Sequence, residues 1–172
     1  FRTKAQGIRS HAEGSYTTSS GDYSHAEGYE TKAEGDQSRA EGFKTITSGS
    51  SAHAEGNQTQ ANGISSHAEG NYSLAEGSFS HAEGSYTSAS SQASHAEGSS
   101  THAKAAYSHA EGFSTTASSA YSHTEGYNTR TVNAGLAGHA EGFYTTVAGY
   151  AAHAEGFYTT ASGYHSHAEG SR

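Results

Sequence analysis

Histidine and glutamate recur together along this chain, separated each time by one residue. The tetrapeptide His-Ala-Glu-Gly begins at His11 and returns at His25 and then at regular intervals, with Thr124 replacing the alanine once and Arg39 replacing the histidine once. Imidazole and carboxylate groups can share a divalent cation or act as a general acid–base pair. Residues two apart in an extended strand point to the same side. Each pair is therefore expected to lie on one face of a strand.

These pairs line up as two columns of twelve positions each. The columns contain His11, Glu13, His25, Glu27, Arg39, Glu41, His53, Glu55, His67, Glu69, His81, Glu83, His95, Glu97, His109, Glu111, His123, Glu125, His139, Glu141, His153, Glu155, His167 and Glu169. A catalytic or metal site is typically single and irregular, whereas this pair recurs in every repeat. We therefore interpret the columns as a structural interface and predict no catalytic residue, no metal site, no cofactor and no enzyme activity. Ion binding by the columns is the alternative.

Composition excludes several classes of protein. The 172 residues include 9 Lys and Arg, 17 Asp and Glu and no Cys, which gives a net charge of −8 with histidine neutral. A disulfide framework and cysteine zinc sites are excluded. The acidic balance argues against a nucleic-acid partner, and no apolar run approaches the length of a membrane helix. Leu, Ile, Val and Phe together number 13, which is too few for an ordinary two-layer core.

The elements that carry the pairs follow from the repeat. A weaker half-repeat that ends in glycine lies midway between successive tetrapeptides, as at Gly21, Gly35 and Gly49. A coiled coil would need large aliphatic residues at two heptad positions, and the regular glycines oppose a helix. The alternation of Ser, Thr and Ala with His and Glu favours strands that have one small-residue face. Stacked strand–turn–strand coils of this kind form a β-solenoid, in which glycine supplies the bends by its positive φ.

The repeat is broken once. The step from His123 to His139 is two residues longer than every other step, so we predict a two-residue insertion near residues 127–131. Residues 1–172 are expected to form a single repeat-built domain of about twelve coils, an excerpt of a longer fibre because the chain begins at Phe1. Aromatic residues near the corners are expected to stack between coils. A possible ligand patch follows the insertion: Phe143, Tyr144, Tyr150, Phe157, Tyr158 and Tyr164.

The sequence of the repeat resembles that of a known family. Ser-His-Ala-Glu-Gly followed by Thr/Ser-Ala-x-Gly, as at Ser24–Gly28 and Thr160–Gly163, is similar to the head repeats of trimeric autotransporter adhesins, which are YadA-like or haemagglutinin-type and also occur in phage tail-fibre proteins. The resemblance covers residues 3–170. It implies an all-β, left-handed parallel β-roll and a homotrimer. His and Glu stand where that family has Val and Ile facing the threefold axis, so the resemblance places a His–Glu ladder at the trimer interface.

The function that the resemblance implies is structural and adhesive. We expect a non-enzymatic segment of an extracellular fibre at a cell surface or on a virion, with a host-surface glycan or protein as receptor and no membrane insertion by this segment. Two alternatives remain. One is a phage tail-fibre shaft that acts mainly as a spacer. The other is a monomeric solenoid that binds ice or another regular surface, although the threonine column from Thr17 to Thr159 is expected inside the coils.

Overall fold

The computed structural model describes residues 2–132 and 136–171. It divides into two compact units, residues 1–86 and residues 87–172. The regular elements of both units are β-strands, and each unit contains six coils of two strands. Within the described ranges, no helix has the length and apolarity needed to cross a membrane.

The strands of the first unit alternate between two and five residues in length. They are β1 (Lys4–Ala5), β2 (His11–Ser15), β3 (Thr18–Ser19), β4 (His25–Tyr29), β5 (Lys32–Ala33), β6 (Arg39–Phe43), β7 (Ile46–Thr47), β8 (His53–Asn57), β9 (Gln60–Ala61), β10 (His67–Asn71), β11 (Leu74–Ala75) and β12 (His81–Ser85). Within the unit, strands one coil apart pair in parallel, so β4 lies beside β6, with His25 opposite Arg39 and Ala26 opposite Ala40. The long strands form one sheet and the short strands the other.

The second unit repeats this arrangement. Its strands are β13 (Ser88–Ala89), β14 (His95–Ser99), β15 (His102–Ala103), β16 (His109–Phe113), β17 (Thr116–Ala117), β18 (His123–Tyr127), β19 (Arg130–Thr131), β20 (His139–Phe143), β21 (Thr146–Val147), β22 (His153–Phe157), β23 (Thr160–Ala161) and β24 (His167–Ala168). Parallel pairing again joins residues one coil apart, as with Ala96 and Ala110. The predicted all-β parallel β-solenoid of about twelve coils is confirmed.

The insertion lies later than the predicted position near residues 127–131. Thr131 pairs with Ala117 at the ordinary repeat interval, and with Val147 at an interval that is two residues longer. The Val132 amide donates to Val147 O, and the Ala137 amide donates to Ala120 O. Residues 130–131 keep the ordinary interval to the previous coil, whereas the interval from Ala120 to Ala137 is two residues longer than usual. The repeat therefore gains its two extra residues between Val132 and Ala137. Residues 133–135, part of the half-repeat that begins at Val132, lie outside the described residues.

Small side chains fill the interior of each coil, as the sequence predicts. In the first unit, Ala26, Thr31 and Ala33 are fully buried, and Ser24 is nearly so. The Ser24 hydroxyl donates to Gly21 O at 2.6 Å, which satisfies it inside the coil. The threonine column is interior from Thr17 to Thr159. That column therefore offers no hydroxyl surface to a solvent-side ligand such as ice.

Non-glycine residues, rather than the predicted glycines, lie at the corners of the coils. Every seventh residue from Arg9 to Asn128 is a non-glycine residue with φ between 50° and 60°, including Tyr16 and Tyr23. The amide of this corner residue donates to the previous coil, as in Tyr23 N to Ile8 O at 2.7 Å. Such bonds hold the left-handed conformation against its intrinsic cost. The prediction that glycine φ makes the bends is wrong, since glycines of the Gly14 type have φ near 110° but lie inside the long strands.

The half-repeat glycines have another reason to be glycine. A Cβ on Gly35 would overlap the carbonyl oxygen of Gly49 in the next coil. Close backbone approach, rather than φ, therefore excludes a side chain there. Where the sequence has Ser91 instead, its hydroxyl donates to Lys104 O at 2.8 Å. Ala105 and Ser119 occupy the same position in two further coils, and the Ser119 hydroxyl donates to Val132 O at 2.7 Å.

Candidate binding face formed by the histidine and glutamate columns

The long strands direct histidine and glutamate outward and alanine inward. In β8 and β16 the alanine is fully buried, whereas the flanking histidine and glutamate are partly exposed. This follows from the two-residue period of a strand. In each unit the predicted interface residues are thus brought onto the outer face of one sheet. Whether another chain covers that face stays a prediction.

Histidine and glutamate of the same coil approach each other without hydrogen bonding. The distance from His Nε2 to Glu Oε2 is 3.3–3.8 Å in the eleven coils that contain the pair. These contacts are longer than an ordinary N–H···O hydrogen bond. Several Nε2 atoms of these pairs are buried and make no hydrogen bond within the described part of the chain. They belong to His25, His53, His67, His109, His123, His139 and His153. A nitrogen in this condition can still accept a proton or bind a metal ion.

The imidazole rings of successive coils stack on one another. In the second unit the ring centroids of His109 and His123 are 4.8 Å apart with an interplanar angle of 6°, and those of His139 and His153 are 4.7 Å apart. In the first unit His53 and His67 stack at 4.9 Å. The separation equals the spacing of strands in a sheet, because the pairing puts each residue beside its counterpart in the next coil. The Nε2 atoms therefore form a row along one edge of the stack.

Burial favours the neutral form of these histidines. It lowers the pKa of His109, and the nearby His123 lowers it further. The pKa of His139 is lowered by burial and then by His123 and His153. The pKa of His53 falls for the same reasons, burial first, then His67 and Arg39. At neutral pH these imidazoles are uncharged and have a lone pair available.

The glutamate columns then carry uncompensated negative charge. Carboxylates face each other across paired strands, as Glu97 does with Glu111 and Glu141 with Glu155. Like charges placed directly opposite one another are destabilising. Neutral histidines do not offset this repulsion. A row of carboxylates spaced by one strand attracts cations.

Arg39 is the exception among the twelve coils. Its Nη2 donates to Glu41 Oε1 at 2.7 Å, and its pKa is raised by this hydrogen bond and by the charge of Glu41. Glu41 also lies 3.9 Å from His25 Nε2 and 3.9 Å from His53 Nε2. The Arg39 guanidinium therefore offsets the negative charge of Glu41 in one coil of the first unit. In that unit it also separates the His11–His25 stack from the stack that begins at His53.

Neighbouring coils combine into groups of three possible metal ligands. In the second unit they include His95, Glu97 and His109; His109, Glu111 and His123; and His139, Glu141 and His153, with the ligand atoms of each group within 4.8 Å of one another. The sequence indicated the pair within one coil but missed the third ligand from the next coil. The constant repeat length, combined with in-register parallel pairing, is the signal that would have found it.

Part of the predicted aromatic patch comes together as a ladder. Phe143 and Phe157 stack at 5.2 Å, and Tyr144 and Tyr158 stack at 4.8 Å. The two pairs meet edge to face, with 4.8 Å between Phe143 and Tyr144. Tyr127 extends the phenylalanine stack towards lower residue numbers. The predicted stacking of corner aromatics between coils is confirmed for these residues.

Tyr150 and Tyr164 belong to a different pair. Their rings stack at 5.2 Å, and Tyr164 is 78% exposed. In every such ladder the ring faces cover each other, so the surface presents ring edges and tyrosine hydroxyls. Sugar rings stack on aromatic faces rather than on edges, so only the ends of a ladder suit that contact. Receptor binding by the six aromatic residues stays a prediction.

Comparison with known proteins assigns the chain to no family. The sequence matches no protein-family model, and no curated protein resembles it at a significant level.

Proposed function

We propose that this chain is a non-enzymatic, structural and adhesive segment of an extracellular fibre at a cell surface or on a virion. The uniform outer face of the long strands carries the proposal, since the same His and Glu pair recurs in every coil except the one with Arg39. A repeated face of one composition suits assembly along its length. It does not suit a reaction, which needs one differentiated site.

The fibre that we propose is a homotrimer, built as a left-handed β-roll with the His–Glu columns at the threefold axis. Handedness and trimer come from the resemblance to adhesin head repeats. The half-buried columns support an interface because their buried Nε2 atoms lack hydrogen-bond partners within the described chain, as at His109 and His139. Carboxylates from two further copies of the same face are partners of suitable chemistry. Buried charges are tolerated when they are paired in this way.

Adhesion is assigned to the aromatic cluster of the second unit. Phe157 and Tyr158 are 44% and 45% exposed and pack edge to face. Exposed aromatic residues on a rigid scaffold are typical of recognition surfaces. A glycan or protein of a host surface is the proposed receptor. A fibre without such binding would be a spacer shaft.

Light scattering coupled to size-exclusion chromatography tests the assembly. At pH 7.5 the chain is expected at three times its mass of 17.7 kDa. Glu83→Lys, which alters the column, is expected to give monomers. Glu76→Lys, which changes the same charge at an exposed position outside the columns, is expected to leave the trimer intact. A monomeric wild-type chain would overturn the trimer and turn the columns to solvent.

A further inference from the structure

We propose that the histidine and glutamate columns bind divalent transition-metal ions such as Zn²⁺, each ion held by the histidine and glutamate of one coil and the histidine of the next. All donors come from one chain, so the inference does not rest on the proposed trimer. It concerns the groups around His95, His109 and His139 in the second unit.

The donor set is chemically suited to these ions. Two imidazole nitrogens and one carboxylate oxygen are the protein ligands of many zinc sites, with a fourth position left for water. Mg²⁺ prefers oxygen ligands and is not expected to bind here. The Nε2 atoms of His139 and His153 are buried and without hydrogen bonds in the described chain, so a metal ion has no hydrogen bond to displace.

The distances match the geometry of a bound ion for two of the three ligands. Zn–N and Zn–O bonds near 2.0–2.1 Å place tetrahedral ligand atoms about 3.3 Å apart. His139 Nε2 and Glu141 Oε2 are 3.5 Å apart already. The third ligand, His153, lies within 4.8 Å of the other two. Its ring has to tilt out of the stack with His139, so binding is coupled to a loss of ring stacking.

The negative charge of the glutamate columns also favours the binding of a cation. The glutamate columns carry negative charge, and in the second unit no lysine or arginine occupies a position of the histidine column. A cation on the column relieves the repulsion between successive carboxylates, such as Glu141 and Glu155.

Shared ligands limit the number of ions. The group His95–Glu97–His109 and the group His109–Glu111–His123 have His109 in common, so only one of them can be filled at a time. The group His139–Glu141–His153 shares no residue with either. We therefore expect at least two ions per chain in the second unit.

Equilibrium dialysis of the 172-residue chain against Zn²⁺ at pH 7.5, with bound metal measured by atomic absorption, tests the proposal. Wild type is expected to retain at least two ions per chain after dialysis and none of Mg²⁺. Glu141→Gln is expected to retain one ion fewer. His102→Gln and Glu76→Gln, which change a histidine and a carboxylate outside the columns, are expected to retain the wild-type number.

A second measurement keeps the test independent of folding defects. Circular dichroism of each metal-free variant checks that it has folded, and His153→Gln replaces Glu141→Gln if that variant has not. Co²⁺ is then used as a probe, since its visible absorption is intense in tetrahedral sites with nitrogen ligands. Retention unaffected by Glu141→Gln and His153→Gln, or lowered equally by His102→Gln, would mean an adventitious ion only and overturn the proposal. Because the proposed trimer would use the same Nε2 atoms, the dialysis is repeated on Glu83→Lys, which is expected to be monomeric and to retain the ions of the second unit.

Discussion

Arg39 lies directly opposite His53 in the parallel pairing of β6 with β8. The pKa of His53 is lowered by burial, by His67 and by the charge of Arg39, in that order. A single non-histidine residue in the column thus acts on the protonation of its neighbour one coil away.

Arg39→Gln is expected to raise the pKa of His53 towards, but not up to, its ordinary value. The substitution removes one positive charge and leaves the burial of His53 and the contact with His67 unchanged. Proton NMR titration of the imidazole resonances measures the shift. His109, whose pKa is lowered by burial and by His123, is the internal control and is expected to keep its wild-type titration. If the His53 pKa does not change, the charge of Arg39 does not influence the protonation of His53.

The free energy of unfolding is expected to fall as the pH drops from 7.5 to 5. The folded pKa values of His53, His109 and His139 are lowered, chiefly by burial, so the unfolded chain binds protons more readily. Their contribution to stability is present above the unfolded value of about 6.5 and is lost as the pH falls towards the folded values. Urea denaturation at three pH values measures the effect.

His102 provides a control for this pH dependence, because it lies on the other sheet. Its pKa is lowered by burial and then by Lys104. His102→Gln is expected to reduce the loss of stability on acidification without abolishing it. An unfolding midpoint that rises on acidification would show that His–Glu pairing outweighs burial.

Gly112→Ala is expected to lower the free energy of unfolding by about 3 kcal/mol, within the range for a strained residue or a backbone clash. Gly112 has a φ of 101°, and an added Cβ would overlap the carbonyl oxygen of Gly126. Ala105→Gly is the matched control, because glycine already occupies that half-repeat position in other coils. It is expected to cost no more than about 1 kcal/mol. Chemical denaturation distinguishes the two, and equal effects would contradict the close approach of the backbones.

Thr45→Val is expected to raise the free energy of unfolding by about 1 kcal/mol. The Thr45 hydroxyl is fully buried and makes no hydrogen bond within the described chain. Valine has the same shape without the polar atom. Thr59 is the control: it is equally buried, but its hydroxyl donates to Glu55 O at 3.2 Å. Thr59→Val is expected to give no gain, and an equal gain at both positions would show that this hydrogen bond contributes nothing.

Much of the fold could be predicted because the repeat itself specifies it. Alternation put Ala26 and Thr31 inside and His25 and Glu27 outside, and all four lie as predicted. The insertion was misplaced because nothing in the sequence marks Arg130 and Thr131 as a strand that keeps its regular pairing with the previous coil. Long-range hydrogen bonding, rather than local composition, decides where extra residues go.

The binding face was predicted less completely than the fold. The sequence placed His139 and Glu141 on one face but could not indicate that they stand 3.5 Å apart without a hydrogen bond. It left open the sign of any pH effect, because that sign depends on how deeply each imidazole is buried. The left-handed corners at Tyr16 and Tyr23 were hidden as well, since tyrosine has no preference for that conformation.

The in-register pairing of coils that have the same length and pattern has a genetic consequence. Removing or duplicating one whole repeat returns residues such as Ala54 to an equivalent neighbour, because Ala54 pairs with Ala40 on one side and Ala68 on the other. Length variants that differ by whole repeats are therefore compatible with the same architecture. Changes of any other size alter the interval between paired residues, as Thr131 shows by pairing with Ala117 on one side and, at an interval two residues longer, with Val147 on the other. Recombination between repeats can change the number of coils in such a gene without redesigning a single one of them.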